Sequence, residues 1–141
     1  MDTINKGILT ELKCEEDFVK LGYVISKPLQ PCRYDYVVDI NGTFIRIQCK
    51  TARDNENGSI LFCCRSSRNA RSNKPIEHRR YTAEEIDYFY TSWNDIGYLV
   101  PVNECSTDKR LRFEPPKNGQ IKGISFAEDY TIQKILERDI L

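Results

Sequence analysis

Residues 43–51 alternate one for one, with Ile45, Ile47 and Cys49 on one side and Arg46, Gln48 and Lys50 on the other. A period of two belongs to a β-strand with one buried face. Residues 34–40 ahead of it are rich in β-branched and aromatic side chains, and Asn41-Gly42 separates the two runs. Asn and Gly tolerate the positive φ angles of a type I′ turn, whose twist matches the flanking strands. The pattern therefore predicts a hairpin with Ile40 opposite Thr43 and, continuing outward, Asp35 opposite Gln48. A β-bulge would displace that last pairing by one residue. Side chains directly opposite lie about 4.5–5.5 Å apart at Cβ, and Lys50 shares the Gln48 face, so an acid, an amide and an ammonium converge.

Other stretches follow different periods. Ile4, Ile8, Leu9, Leu12, Phe18 and Val19 recur near the helical period between a cap at Asp2 or Thr3 and a stop at Gly22, predicting a first helix with those residues as its core face. Gly7 within it costs about 1 kcal/mol relative to Ala, which predicts a close neighbour. A strand is expected at residues 23–26, with Pro28 and Pro31 breaking the chain after it. Residues 60–65 read as another strand of the same sheet, which should have at least four. Residues 66–80 read as a long polar loop. Thr82 and Glu85 fit a capping box, and residues 88–90 and 98–100 read as a second hairpin around Asn94-Asp95, its aromatics serving as core. A strand at residues 111–113 and a C-terminal helix bearing Ile132, Ile135 and Leu136 complete the pattern.

The chain has 141 residues, enough for one domain over its whole length with a core that needs no staples. It is 40% hydrophobic and 30% charged, and no apolar run approaches the roughly 20 residues that span a bilayer, which argues against a membrane protein. The N-terminal residues lack the apolar core of a signal peptide, and a cytoplasmic location is the expectation. The six cysteines, at 14, 32, 49, 63, 64 and 105, have no CxxC spacing, and the one histidine, His78, has no partner at ligand spacing; reduced core cysteines are expected rather than a zinc site. Net charge is zero, yet residues 65–80 hold six Lys or Arg against the single acid Glu77. That concentration suits contacts to nucleic-acid phosphates. Arg65, Arg68, Arg71, Lys74, Arg79 and Arg80, together with Arg33 and Arg46 of the hairpin, are the candidate DNA-binding residues.

On those residues the chain resembles the PD-(D/E)XK nucleases. Asp35 stands for the first acid, Gln48-Cys49-Lys50 for the (D/E)XK part with its acid replaced by Gln, and Glu11, in the setting Lys6-Gly7-x-x-x-Glu11, for the acid that many such enzymes carry on their first helix. More narrowly it resembles the group I intron homing endonucleases of this fold, in which a comparable Ile-Asp-x-Phe segment leads into a Tyr-Leu-Val-Pro strand, as residues 86–89 and 98–101 do here. The resemblance spans residues 6–101 and is most diagnostic over residues 33–51. It implies an α/β, restriction-endonuclease-like core, a mixed β-sheet flanked by helices, and a metal-dependent, site-specific endonuclease acting on double-stranded DNA. Asp35, Glu11 and Gln48 would be the metal ligands for Mg²⁺, with Mn²⁺ as a substitute, and Lys50 would complete the catalytic set. The resemblance also implies a homo-oligomer, dimer or tetramer, because one site cannot cut both strands. Asp39 and Asp87 are read as structural. A catalytically inactive nucleic-acid-binding module with the same fold is the alternative, since loss of the acid elsewhere in the superfamily sometimes marks a dead enzyme. A structural or protein-interaction domain is a third class.

Overall fold

The computed structural model describes residues 1–68 and 77–141, with side chains described except at 67, 68, 77 and 78. Helix α1 (Thr3–Lys20) starts at Asp2, whose Oδ1 accepts from the Asn5 N–H at 2.8 Å, and it ends where Gly22, at φ +87°, donates to the Val19 carbonyl. A side-chain acceptor at the cap satisfies one of the N–H groups that every helix start leaves unpaired. Strand β1 (Val24–Ser26) follows, then the hairpin of β2 (Tyr36–Ile40) and β3 (Thr43–Cys49). After β4 (Arg53–Asp54), β5 (Ser59–Cys63), β6 (Arg65–Arg68) and β7 (Glu77–Arg80) comes the second hairpin, β8 (Tyr88–Trp93) and β9 (Ile96–Pro101). Strand β10 (Asp108–Arg112) and helix α2 (Ile132–Asp139) complete the chain.

The main sheet has the order β1-β2-β3-β8-β9. It is mixed, because β3 and β8 pair in parallel, with Gln48 beside Phe89, while the other neighbours are antiparallel. The architecture is that of the expected α/β class. Of the strands foreseen for this sheet, β5 instead joins β10 and β4 in a separate three-stranded sheet. The stretch 66–80, expected to be a loop, begins and ends as an antiparallel ribbon of β6 and β7 in which Arg65 faces Arg80 and Ser66 faces Arg79. Strand β10 also begins earlier than the sequence pattern suggested.

Tyrosine hydroxyls fasten the helices to the sheet. Tyr36 donates to Glu15 and Tyr90 to Asp17, each at 2.5 Å, while Tyr88 reaches Asp139 of α2 at 2.8 Å. These bonds help set the rotation of α1 and explain why its core face differs from the expected one. Cys14 and Phe18 are fully buried and Thr10 nearly so, whereas Ile4, Ile8, Leu9, Leu12 and Val19 stand exposed. Glu15 and Asp17 lie between the buried Cys14 and Phe18 in the sequence, so satisfying the buried tyrosines turns the more apolar stripe outward. The expected close neighbour of Gly7 is also absent, for nothing lies within 4 Å of where its Cβ would be. The glycine crowded by this helix is Gly97, whose Cβ would collide with Asp17 Oδ2 and the Tyr90 ring.

Candidate active site

The β2–β3 register runs as the turn dictates, from Ile40 opposite Thr43 to Tyr36 opposite Ile47. Asn41 and Gly42 sit at φ +51° and +97°, and the Gly42 N–H is held by Asp39 Oδ1 at 2.7 Å, which gives Asp39 a structural role. Beyond Tyr36 the ladder slips. The Asp35 N–H donates at 2.8 Å to the Ile47 carbonyl, so Asp35 and Tyr36 share one partner, the mark of a bulge. Asp35 is therefore not directly opposite Gln48 as the unbroken register required. Its carboxylate is aimed along β3, and Oδ2 accepts from the Cys49 N–H at 2.8 Å. The slip still brings Asp35 to Gln48, since one terminal atom of the Gln48 amide lies 3.2 Å from Asp35 Oδ2 and 2.7 Å from the Arg33 carbonyl oxygen. Both neighbours are acceptors, so the hydrogen-bonding choice is to turn the NH₂ toward them.

Lys50 follows the end of β3, its backbone N–H bonded to the Tyr90 carbonyl at 2.8 Å. Its Nζ donates to the Arg65 carbonyl at 2.9 Å and lies 5.1 Å from the centre of the Tyr81 ring. The Arg33 guanidinium stacks on the same ring at 3.7 Å. Thr10 and Thr51 share a hydrogen bond of 3.0 Å, tying α1 one residue before Glu11 to the chain one residue after Lys50.

Asp35, Glu11 and Lys50 are all partly buried. Loss of solvent raises the Asp35 pKa, opposed by the Cys49 N–H and by the Lys50 and Lys27 charges. Burial followed by the Asp35 charge raises that of Glu11. Burial lowers the pKa of Lys50. Each charged form is thus held at a cost that a ligand of opposite charge would relieve. Among the described residues no group of three or more His, Cys, Asp or Glu is placed to hold a metal. The oxygens on offer are a carboxylate, an amide and a main-chain carbonyl around Asp35, with Glu11 near enough to sense its charge. Such an all-oxygen set suits a hard divalent ion.

The expected DNA-binding residues divide. Arg33 donates to Ser66 Oγ at 2.6 Å and to the Arg80 carbonyl at 2.9 Å, and its Nε lies 3.1 Å from Glu85 without hydrogen-bond alignment. Arg46 meets Asp87 through its main-chain N–H, Nε and Nη2, and its guanidinium also reaches the carbonyls of Ala83 and Glu84. Both arginines brace the fold, and Asp87 is the structural acid it was expected to be. Arg79 and Arg80 are exposed, the first paired with Glu85 at 2.8 Å, and Arg65 carries a buried Nε without a partner. Arg68 ends β6, and Arg71 and Lys74 lie outside the described residues. Tyr81, Ser66 and Thr10 were not foreseen. No local pattern marks Tyr81, because its contacts to Arg33 and Lys50 join distant parts of the sequence.

A five-stranded mixed sheet with α1 fastened to one face, and an Asp-Gln-Lys constellation at the end of its central strands, is the arrangement of a restriction-endonuclease-like fold. A family profile described as PD-(D/E)XK endonuclease matches residues 1–133, and the chain belongs to that family. Among solved structures it is similar to a bacterial homing endonuclease, I-Ssp6803I, with a TM-score of 0.77 at 20% identity, covering 98% of this chain and 95% of that one. At that identity the likeness speaks for the fold. No curated protein sequence matches the chain.

Proposed function

We propose that this nuclease is a metal-dependent endonuclease that hydrolyses phosphodiester bonds in double-stranded DNA at chosen sites, as a homing enzyme does. The observation that carries the reading is the meeting of Asp35, Gln48 and Lys50 at the foot of a basic two-stranded ribbon. Asp35, Glu11 and Gln48 would hold the cation through oxygen. Mg²⁺, or Mn²⁺ in its place, would supply positive charge at the scissile phosphate. Lys50, kept close by the Arg65 carbonyl, would orient the attacking water and face the charge that grows on the phosphoryl oxygens. Water adds to phosphorus as the bond to the 3′ oxygen breaks.

The ribbon supports a DNA substrate on two grounds. A two-stranded β-ribbon fits the major groove of B-DNA. Directly facing like charges, as at Arg65 and Arg80, are unfavourable unless an anion relieves them. Arg65, Arg79 and Arg80 are the contacts proposed among the described residues, joined by Arg68, Arg71 and Lys74. Two strands need two sites, so a homo-oligomer is part of the proposal. The exposed stripe of Ile4, Ile8, Leu12 and Val19 on α1 offers a second copy an apolar face. Among the described residues no helix is long and apolar enough to cross a membrane.

The test is incubation of the purified chain with duplex DNA in Mg²⁺ or chelator, followed by mapping of the ends. Discrete cuts that need the cation support the reading. Salt-sensitive DNA retention with no cutting under any divalent ion points instead to the non-cleaving binding module. Analytical ultracentrifugation of the wild type and of Ile8→Glu tests the assembly, which should fall to monomer in the variant.

A further inference from the structure

The Gln48 amide can be seated in either of two orientations on the same atom positions. In one, its NH₂ group meets the Arg33 carbonyl at 2.7 Å and Asp35 Oδ2 at 3.2 Å. In the other, the NH₂ lies 3.5 Å from the Cys49 carbonyl, and Oε1 takes the position beside Arg33 and Asp35. The two are related by a half-turn about the last side-chain bond, a soft torsion with roughly two-fold preference. Oxygen and nitrogen of an amide have nearly the same size, so the half-turn leaves the packing unchanged. The second seat sets three oxygens against one another, those of Gln48, Asp35 and the Arg33 main chain, which is unfavourable unless a positive charge lies among them.

We propose that Gln48 is a reversible cover over the cation position: without a cation its NH₂ bridges Asp35 and the Arg33 carbonyl, and with one it turns to present Oε1, leaving the Arg33 carbonyl free to join the ligand set. This rests on the metal-dependent reading above and adds a positioning role to the residue. It also gives a physical use to the missing acid. A carboxylate at position 48 has no N–H to offer, so without a cation it would press a second negative charge on Asp35. An amide satisfies the empty site and still has an oxygen in reserve. Cation affinity is correspondingly reduced, because two hydrogen bonds must be given up first.

Nuclear magnetic resonance on the whole chain tests this without DNA or turnover. The Gln48 side-chain NH₂ is assigned by its disappearance in Gln48→Met, and the Asp35 side-chain carboxyl and Arg33 carbonyl carbons are followed beside it during a Mg²⁺ titration. The expected result is that all three signals move together, with the NH₂ protons losing the downfield shift of a hydrogen bond to a carbonyl and a carboxylate. If the Asp35 carbon responds while the Gln48 NH₂ and Arg33 carbonyl stay where they were, the cover is overturned and the metal site stands. If none responds at millimolar Mg²⁺ or Mn²⁺, both the cover and the metal-dependent reading fall.

Discussion

The hairpin of β2 and β3 and the hairpin of β8 and β9 turn through the same kind of corner, Asn41-Gly42 at φ +51° and +97° and Asn94-Asp95 at +49° and +65°. They lie side by side through the β3–β8 pairing. Their burial differs. In β2 and β3 buried residues alternate with partly exposed ones, while Tyr88 to Thr91 and Tyr98 to Val100 are buried without interruption. Alternation leaves one face on which Gln48 and Lys50 can meet solvent and substrate. Continuous burial makes the second hairpin a wall, with Phe89 packed between Phe62 and Tyr81 and the Tyr90 hydroxyl bonded into α1. On the proposed reading the chemistry would sit where the pattern permits polarity, with the neighbouring strand supplying rigidity.

Substitutions should separate these two duties. The largest effect is expected on the site hairpin, where Lys50→Ala should slow Mg²⁺-dependent nicking of plasmid DNA by about 100–1000-fold, the usual loss for a group that faces transition-state charge. Its thermal midpoint should not fall, since burial already disfavours the ammonium. Asp35→Asn should be comparably inactive. On the wall, Gly97→Ala should leave the site chemistry intact but destabilise the fold by about 1–3 kcal/mol, as overpacking does, because Asp17 and Tyr90 would have to move. Urea unfolding measures it, and an unchanged midpoint would mean that the close approach is not maintained in solution.

Smaller again is Tyr90→Phe, expected to cost about 1 kcal/mol in the same assay through one lost hydrogen bond, with Asp17 still paired to Lys13 at 3.0 Å. The finest distinction is in pH. Asp35 and Glu11 are raised above their ordinary 3.8 and 4.5, and Lys50 is lowered from 10.5, so the range in which both acids are anionic and the lysine cationic narrows from each end. For an acid raised in the fold, the stabilising contribution is present below its unfolded pKa and lost as pH rises through the folded one. Asp35→Asn should therefore raise the melting temperature of the cation-free protein at neutral pH relative to wild type, with the gap closing in acid. Differential scanning calorimetry across pH checks this, and a gap independent of pH would remove the carboxylate as its cause.

The first hairpin was legible because its turn residues specify a backbone conformation and its alternation specifies a face. The placement of Gln48 and Cys49 was legible for the same reason, since both lie at the end of one alternating strand. The slip at Asp35 was not, since nothing local to Arg33-Tyr34-Asp35 distinguishes a bulge from a regular pair. Helix α1 shows another limit. Periodicity announces an apolar stripe but does not say that Tyr36 and Tyr90, far along the chain, will claim Glu15 and Asp17 and turn that stripe outward. Likewise the polarity of residues 66–80 suggested a loop, although Arg65 to Arg68 pair with Glu77 to Arg80 as a two-stranded ribbon, which backbone hydrogen bonding permits without an alternating apolar face.

The bond from Lys50 Nζ to the Arg65 carbonyl joins the last residues of the site strand to the first residue of the ribbon. Moving the ribbon base by on the order of 1 Å is enough to break a hydrogen bond of this length. On the proposed function, grip and trigger would share a hinge. DNA that seats the ribbon correctly would keep the ammonium in place, while DNA that twists or lifts it would be held with the lysine out of position. On this reading, fidelity would be expressed in how long a bound sequence waits before it is cut, more than in how tightly it is bound. Single-turnover cleavage of matched and mismatched duplexes would expose it as a spread in rates larger than the spread in affinities.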